Sequence, residues 1–218
     1  MMISTIMKRL NKIFGLGLLA YLFVLGACNK PGDLKFTIEG QVFDKSFNQN
    51  LQQGTVRLFR VPIATTQEIL IAEETISNGS YSFTFERDMS ERYIVRFEKE
   101  NYFNEINEVF FSQLQVGQPY QLNFNVEAIA VMNWVLVDQT PNSSNNSVII
   151  QKLESRAVGA GTCPNQQYEF FGGQGNDTLS CAVGGNQYVK FYKVQLPNFQ
   201  LDSVYCPAFE ETFYIVNY

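Results

Sequence analysis

From Phe36 onward the chain alternates apolar and polar positions. Phe36, Ile38 and Val42 interleave with Thr37, Glu39 and Gln41; Tyr81 to Phe85 and Tyr93 to Phe97 repeat the pattern, and Tyr120, Leu122, Phe124 and Val126 carry it once more. Successive side chains of a strand point to opposite faces, so a period of two predicts half-buried antiparallel strands. Turn signals separate the runs: Asn48 to Gly54, Asn78-Gly79, Glu100-Asn101 and Gly117 to Pro119. The sharpest is Asn78-Gly79, because both residues tolerate the positive φ values of a tight hairpin turn. A second group of runs follows at Val131 to Val137, Val148 to Ile150, Tyr188 to Val194 and Phe213 to Tyr218. No long stretch after Cys28 has the 3.6-residue spacing of an amphipathic helix. The pattern predicts an all-β protein of two tandem antiparallel β-sandwich domains, 36–127 and 128–218.

The beginning of the chain is different in kind. Lys8, Arg9 and Lys12 precede the apolar run Ile13 to Leu25, which ends in Gly26 and Ala27. This is the order of a secretory signal helix, and the run is shorter than the about 20 apolar residues of a membrane-spanning helix. Leu25-Gly26-Ala27-Cys28 resembles the lipobox of bacterial lipoproteins. The resemblance implies cleavage after residue 27, a diacylglyceryl group on the Cys28 thiol and a fatty acyl (palmitate) chain on the new amino terminus. Residues 28–35 then form a lipidated tether. With Pro31 and Gly32 in it, the segment from Asn29 to Lys35 reaches about 25 Å when extended at roughly 3.5 Å per residue, which keeps the first domain close to a membrane. Asn29, rather than Asp, after the cysteine is compatible with delivery to the outer membrane of the cell envelope, on its periplasmic face or at the cell surface. Met7 directly precedes Lys8 and is an alternative start that changes nothing after Cys28.

Charge and composition narrow the chemistry. Without residues 1–27, 191 of the 218 residues remain, carrying 13 basic against 21 acidic side chains, a net charge of −8. Nucleic-acid binding rests largely on Lys and Arg neutralising phosphates, so so acidic a chain predicts no nucleic-acid partner. Histidine is absent, which removes the commonest general base and metal ligand, and with them most Ser/His/Asp, Cys/His and zinc-hydrolase arrangements. No segment nominates a carboxylate pair, no CxxC cluster suggests a metal, and no cofactor is expected. Trp134, the one tryptophan, stands between Met132 and Leu136 on one face of an apolar run, the setting of a core residue more than of a sugar platform.

Residues 36 to about 127 resemble the carboxypeptidase regulatory-like, or transthyretin-like, β-sandwich. The pieces that carry the resemblance are Phe36 to Asp44, Gly54 to Phe59, Thr75 through Phe83, and Tyr93 to Tyr102. It implies a non-catalytic accessory module in which Gly40 bends the first strand, Gly79 makes a hairpin, and Tyr81, Phe83, Tyr93, Val95 and Phe97 fill the space between sheets. The polar segment from Phe47 to Gln53 departs from the family. Asp202 to Phe209 and Phe213 to Tyr218 resemble the carboxyl end of immunoglobulin-like domains in envelope lipoproteins.

An oxidising envelope favours disulfides, and Cys163, Cys181 and Cys206 leave one cysteine over. Cys181 with Cys206 is the expected pair, closing a loop worth roughly 3 to 4 kcal/mol by loop-closure entropy; Cys163 with Cys181 is the competitor. Gly172 to Ser180 fits the calcium-binding nonapeptide pattern once, whereas β-rolls hold ions between consecutive copies, so a turn before a strand is the expected reading. The functional expectation is a lipid-anchored, non-enzymatic structural or protein-interaction module of the envelope. A glycan-binding surface lipoprotein is the alternative, on the strength of an aromatic content of 14% in an all-β chain.

Overall fold

The structure, a computed structural model, describes residues 34–140, 146–153, 166–172 and 177–218. The signal segment and Cys28 lie outside them. The described residues form β1 (Lys35–Asp44), β2 (Gln49–Asn50), β3 (Thr55–Pro62), β4 (Ile69–Thr75), β5 (Ser80–Glu86), β6 (Ser90–Glu98), β7 (Glu105–Phe110), β8 (Tyr120–Gln121) and β9 (Phe124–Val126). The series continues with β10 (Ile129–Val137), β11 (Ser147–Lys152), β12 (Gln167–Phe171), β13 (Asp177–Gly184), β14 (Gln187–Gln195), β15 (Asn198–Cys206) and β16 (Glu211–Asn217). The one helical piece among the described residues is the 3-10 turn Phe111–Gln113.

These strands build two tandem sandwiches. In the first, β2, β5, β8 and β9 all pair with β1, and the sheet β4-β3-β6-β7 covers it. In the second, β13-β10-β16 faces β12-β11-β14-β15. Pairing is antiparallel except that β8 and β9 run parallel to β1, and β16 runs parallel to β10. Two separate apolar clusters lie between the layers. Phe36, Ile38, Val42, Tyr81, Phe83 and Phe124 meet Val56, Leu58, Tyr93, Val95, Phe97 and Val109 in the first, and Trp134, Met132 and Leu136 meet Val148, Ile150, Val189 and Phe191 in the second. Each fully buried side chain of this size contributes about 1.5–3 kcal/mol relative to exposure, so these clusters hold the layers together.

Two local expectations are corrected by the sheet arrangement. Tyr120 to Val126 is not one strand. It breaks into β8 and β9 at Leu122 and Asn123, where the Leu122 carbonyl turns toward Gly40 and the Asn123 side chain accepts the Gln41 N–H at 2.8 Å. A Cβ on Gly40 would lie 1.8 Å from that carbonyl oxygen, so the glycine serves a close backbone approach rather than a bend. The Tyr81 hydroxyl donates to the same oxygen at 2.5 Å. The second correction concerns Asn78-Gly79. Its positive φ values, 56° and 76°, are those expected of the turn, but β4 belongs to one sheet and β5 to the other. The turn itself closes as expected, with an antiparallel bridge between Ser77 and Ser80, and beyond it the strands part into a corner between layers, fixed by the Val42 N–H bonding to the Gly79 carbonyl at 2.7 Å.

The passage from the first sandwich to the second is short and bonded on both sides. The Ala128 N–H donates to the Ser46 hydroxyl, and the Ala128 carbonyl accepts the Gly185 N–H at 2.7 Å. Phe103 N–H reaches the Glu127 carbonyl and Ile129 N–H the Asn101 carbonyl. From the second sandwich, Asn186 donates its side-chain amide to the Ser46 carbonyl at 3.1 Å, and Phe209 stacks on Phe47 with ring centroids 5.8 Å apart. Phe209 adopts φ 67°, a costly value for a bulky residue, and its ring also meets Tyr102. Beneath them the Tyr102 hydroxyl donates to the fully buried Asp44 carboxylate at 2.6 Å.

Two measurements test this account. Gly40→Ala drives a methyl group into backbone that no rotamer change can clear, so denaturant unfolding should show a loss of at least about 3 kcal/mol. The second uses tyrosine ionisation. Burial, then the Asp202 hydrogen bond, pushes Tyr214 up to about 12; burial first also raises Tyr81, Tyr93 and Tyr102 above the ordinary tyrosine value. A raised folded value means that the native state keeps protons the unfolded chain has released. The stability from these groups is therefore complete below about pH 10 and is lost as pH rises above it. Absorbance titration should show at least two classes among the 11 tyrosines, the late class ionising together with unfolding.

Candidate interaction surface

The structure gives the expected site residues different fates. Cys28 and Cys163 lie outside the described residues. The expected Cys181–Cys206 bridge is not formed. Cys206 is a free, fully buried thiol, with its Sγ 3.9 Å from Met132 Sδ and from the Val204 carbonyl oxygen. The physical reason is that the Cys181 sulfur is already committed to another disulfide. Cys181 sits in β13 opposite Met132 of β10, whereas Cys206 ends β15 in the other sheet, and the Met132 sulfur meets the Cys206 thiol. Cys181 itself is disulfide-bonded. Burial pushes the Cys206 thiol above its ordinary pKa, which lowers its thiolate fraction and its reactivity.

Trp134 is 1% exposed and packs edge-on against Phe191 at 5.7 Å, a core residue as its flanks implied. Of the nonapeptide pattern, residues 173–176 fall outside the described set, and Asp177, Thr178, Leu179 and Ser180 are the first residues of β13. Among the described residues no group of three His, Cys, Asp or Glu side chains is placed to hold a metal ion.

The outer faces of the two sandwiches differ in chemistry. On the β4-β3-β6-β7 sheet, arginines and carboxylates are laced together. Arg57 bridges Glu73 at 2.6 Å and also bonds Glu98, Arg60 reaches Asp88 at 3.0 Å, Arg96 reaches Glu68 at 2.5 Å, and Arg92 pairs with Glu108 at 3.7 Å. Glu73 first, then Glu98, holds the Arg57 guanidinium above its ordinary pKa. The Arg96 guanidinium also lies 4.8 Å over the Phe59 ring. Such cross-strand pairs satisfy one another and leave a solvated face.

The second sandwich presents rings instead. In the β14-β15 ladder, Tyr188 lies opposite Tyr205, Tyr192 opposite Leu201 and Val194 opposite Phe199. Val189, Phe191 and Cys206 are the buried positions of these strands, so the alternating set faces outward. Tyr188 and Tyr205 have ring centroids 5.3 Å apart and Tyr192 and Phe199 4.8 Å, with Lys190 and Ser203 between the two pairs. On β16, Phe213 and Ile215 also face outward. Inside this sandwich β11 buries Lys152 beside Val148 and Ile150, and burial lowers the pKa of its ammonium group. At the junction, Phe47, Gln49, Lys99, Asn101, Tyr102 and Phe209 line a cleft of about 390 Å³.

The sequence reading did not single out Phe199, Leu201 or Tyr205 as surface residues. The signal was there in the alternation of residues 198–206, but alternation names two faces without saying which one is inward.

No protein-family profile matches the chain. No curated protein matches it either. Solved structures similar to it include the TIE protein of Bacillus anthracis, at 11% identity and a TM-score of 0.37, covering 84% of this chain and 34% of that one. The chain thus spans about a third of that protein. The shaft pilin of Lactobacillus rhamnosus GG superposes with a TM-score of 0.34 at 7% identity, covering 84% of this chain and 97% of the pilin. The minor pilin of Streptococcus agalactiae does so at 0.31 and 8%, covering 83% and 94%. These superpositions are loose, and the two-sandwich architecture stands on the strand pairings above.

The cysteine assignment has a direct check. Native protein treated with a thiol-alkylating reagent should leave Cys206 unmodified, and denaturant without reductant should expose it to full modification. Non-reduced peptide mapping should show no Cys181–Cys206 adduct.

Proposed function

We propose that this chain is a lipid-anchored, non-enzymatic protein of the cell envelope, held in the outer membrane through Cys28, that binds another protein through its second sandwich. In this reading residues 36–127 are a carboxypeptidase regulatory-like sandwich serving as the membrane-proximal support, and residues 128–218 are an immunoglobulin-like sandwich placed farther out. The observation that carries it is the contrast between the two outer faces. The first is laced by ion pairs, with Leu70, Ile106 and Phe110 exposed among them, while the β14-β15 face of the second exposes Tyr188, Phe199, Leu201 and Tyr205 side by side. Contiguous exposed apolar surface on a folded chain marks an interaction site.

The bonded junction supports the same reading. Ser46, Asn186, Phe47 and Phe209 tie the second sandwich to the first, which suits a spacer that presents one surface at a set distance from an anchor. Glycan binding is the second reading, favoured by the Tyr188–Tyr205 pair with Lys190 and Ser203 beside it on an exposed sheet face, since tyrosine combines a ring for stacking with a polar tip.

The anchor is tested in cells. Cys28→Ser should accumulate as an unprocessed precursor and be lost from the outer-membrane fraction; a Cys28→Ser protein that still fractionates with outer membranes would remove the lipid anchor from the proposal. A glycan array separates the two binding readings. Signals lost in Tyr188→Ala and Tyr205→Ala would favour the second, and an array at background leaves the protein-binding reading alone.

A further inference from the structure

We infer that the free edge of β15 is a strand-capture site, which takes up an extended segment of a different polypeptide carrying apolar side chains at alternate positions and a Lys or Arg near its middle. β15 pairs β14 along its full nine residues, from Gln187 opposite Cys206 to Gln195 opposite Asn198, and among the described residues no strand pairs its other edge. An unpaired edge offers a row of main-chain donors and acceptors that another extended strand satisfies, and proteins usually protect such edges with charge, proline, bulges or short length.

Most of the other edges among the described residues are protected in those ways, while β16 is a shorter edge of seven residues with Glu211 at its start. β4 has a register shift against β3 and carries Glu73 and Glu74. β7 carries Glu105 and Glu108. β5 exposes Ser80, Ser82 and Thr84 outward, β12 is five residues long with Glu169 at its centre, and β13 exposes Asp177, Thr178 and Ser180. β15 carries one charge, Asp202, whose carboxylate is taken up by neighbours within the chain, and its nine residues contain no proline and no register shift. Its outward residues include Phe199, 62% exposed, and Leu201, 59% exposed. β16 also exposes Phe213 and Ile215, both 62%, on the outer face of the opposite sheet.

Charge decides what kind of strand fits. The single charged residue of β15 is Asp202 at its centre, whose carboxylate accepts the Tyr214 hydroxyl, the Ser203 N–H at 2.7 Å and the Gln200 amide at 3.3 Å. Two copies of this chain pairing antiparallel in full overlap would set Asp202 opposite Asp202, and like charges directly opposite are destabilising. A segment with a basic residue there has the opposite sign, and the chain as a whole is acidic, at −5. The strand that β15 already accepts on its other side, Gln187 to Gln195, alternates apolar residues and carries Lys190 and Lys193, with Phe191 opposite Asp202.

This site rests on the protein-binding reading only in requiring an accessible second sandwich. The Cys28→Ser fractionation tests the anchor and says nothing of the edge, so either can fail alone. The probe is a synthetic peptide of the β14 sequence, residues 187–195, titrated into the full chain in detergent and read by amide hydrogen exchange. Exchange in residues 198–206 should slow at least tenfold at saturation, with β5, β7 and β13 unchanged. A scrambled peptide that breaks the alternation should have no effect. Leu201→Lys, and independently Phe199→Lys, should weaken the peptide at least tenfold at an unchanged melting temperature. No slowing at millimolar peptide, slowing at another edge, equal binding by both lysine variants, or slowing that follows protein concentration without peptide and so marks a second copy, would each overturn the assignment.

Discussion

The first sandwich depends on one backbone contact, the approach of the Leu122 carbonyl to Gly40. β1 is bonded along both of its edges, with β5 on one side and β8, β9 and β2 taking up the rest. The chain reaches β1 a second time only by crossing it closely at residue 40, where any side chain would collide. The same oxygen is held by the Tyr81 hydroxyl, so a core ring, a sheet neighbour and the crossover chain meet at one atom. A parallel return of this kind needs long-range contacts before any local hydrogen bond forms, which makes it a late and costly element to assemble.

From that crossing the polypeptide runs through β9 directly into β10, and the join behaves as part of both sandwiches. Ala128 is fully buried, Glu127 and Ala128 are bonded on both sides, and Phe209 holds an unfavourable backbone angle while stacking on Phe47 and Tyr102. Strain of this kind persists where the surroundings over-determine it. The consequence is that the relative placement of the two sandwiches is set by bonded residues.

The distribution of charge differs between the two sandwiches. Arginine–carboxylate pairs occupy the outer face of the β4-β3-β6-β7 sheet, satisfying one another across strands. The second sandwich buries its one internal cation, Lys152, and uses its outward positions for rings and aliphatic groups. Histidine is absent from the sequence, and among the described residues β15 leaves a nine-residue edge unpaired.

Much of this was legible in the residues themselves, because period two is a local property. Phe36, Ile38 and Val42 face inward together, Trp134 lies between Met132 and Leu136 in the core, and Lys152 shares parity with Val148 and Ile150, so its burial follows from the same counting. The positive φ at Asn78, Gly79, Asn101 and Gly117 was equally local, since it depends on which side chains tolerate that backbone. What alternation cannot contain is the identity of the strand across the gap. Asn78-Gly79 therefore became a corner between sheets, and Tyr120 to Val126 split where Gly40 admits a carbonyl. Cys206 came to rest against Met132 instead of bonding Cys181, whose sulfur is held in a different disulfide. The sequence by itself determined which side chains share a face and where the chain turns, through dihedral preference and the geometry of a single strand. Only the tertiary structure decided which faces meet, which edge stays open and which thiol stays free, because those depend on contacts between residues far apart in the chain.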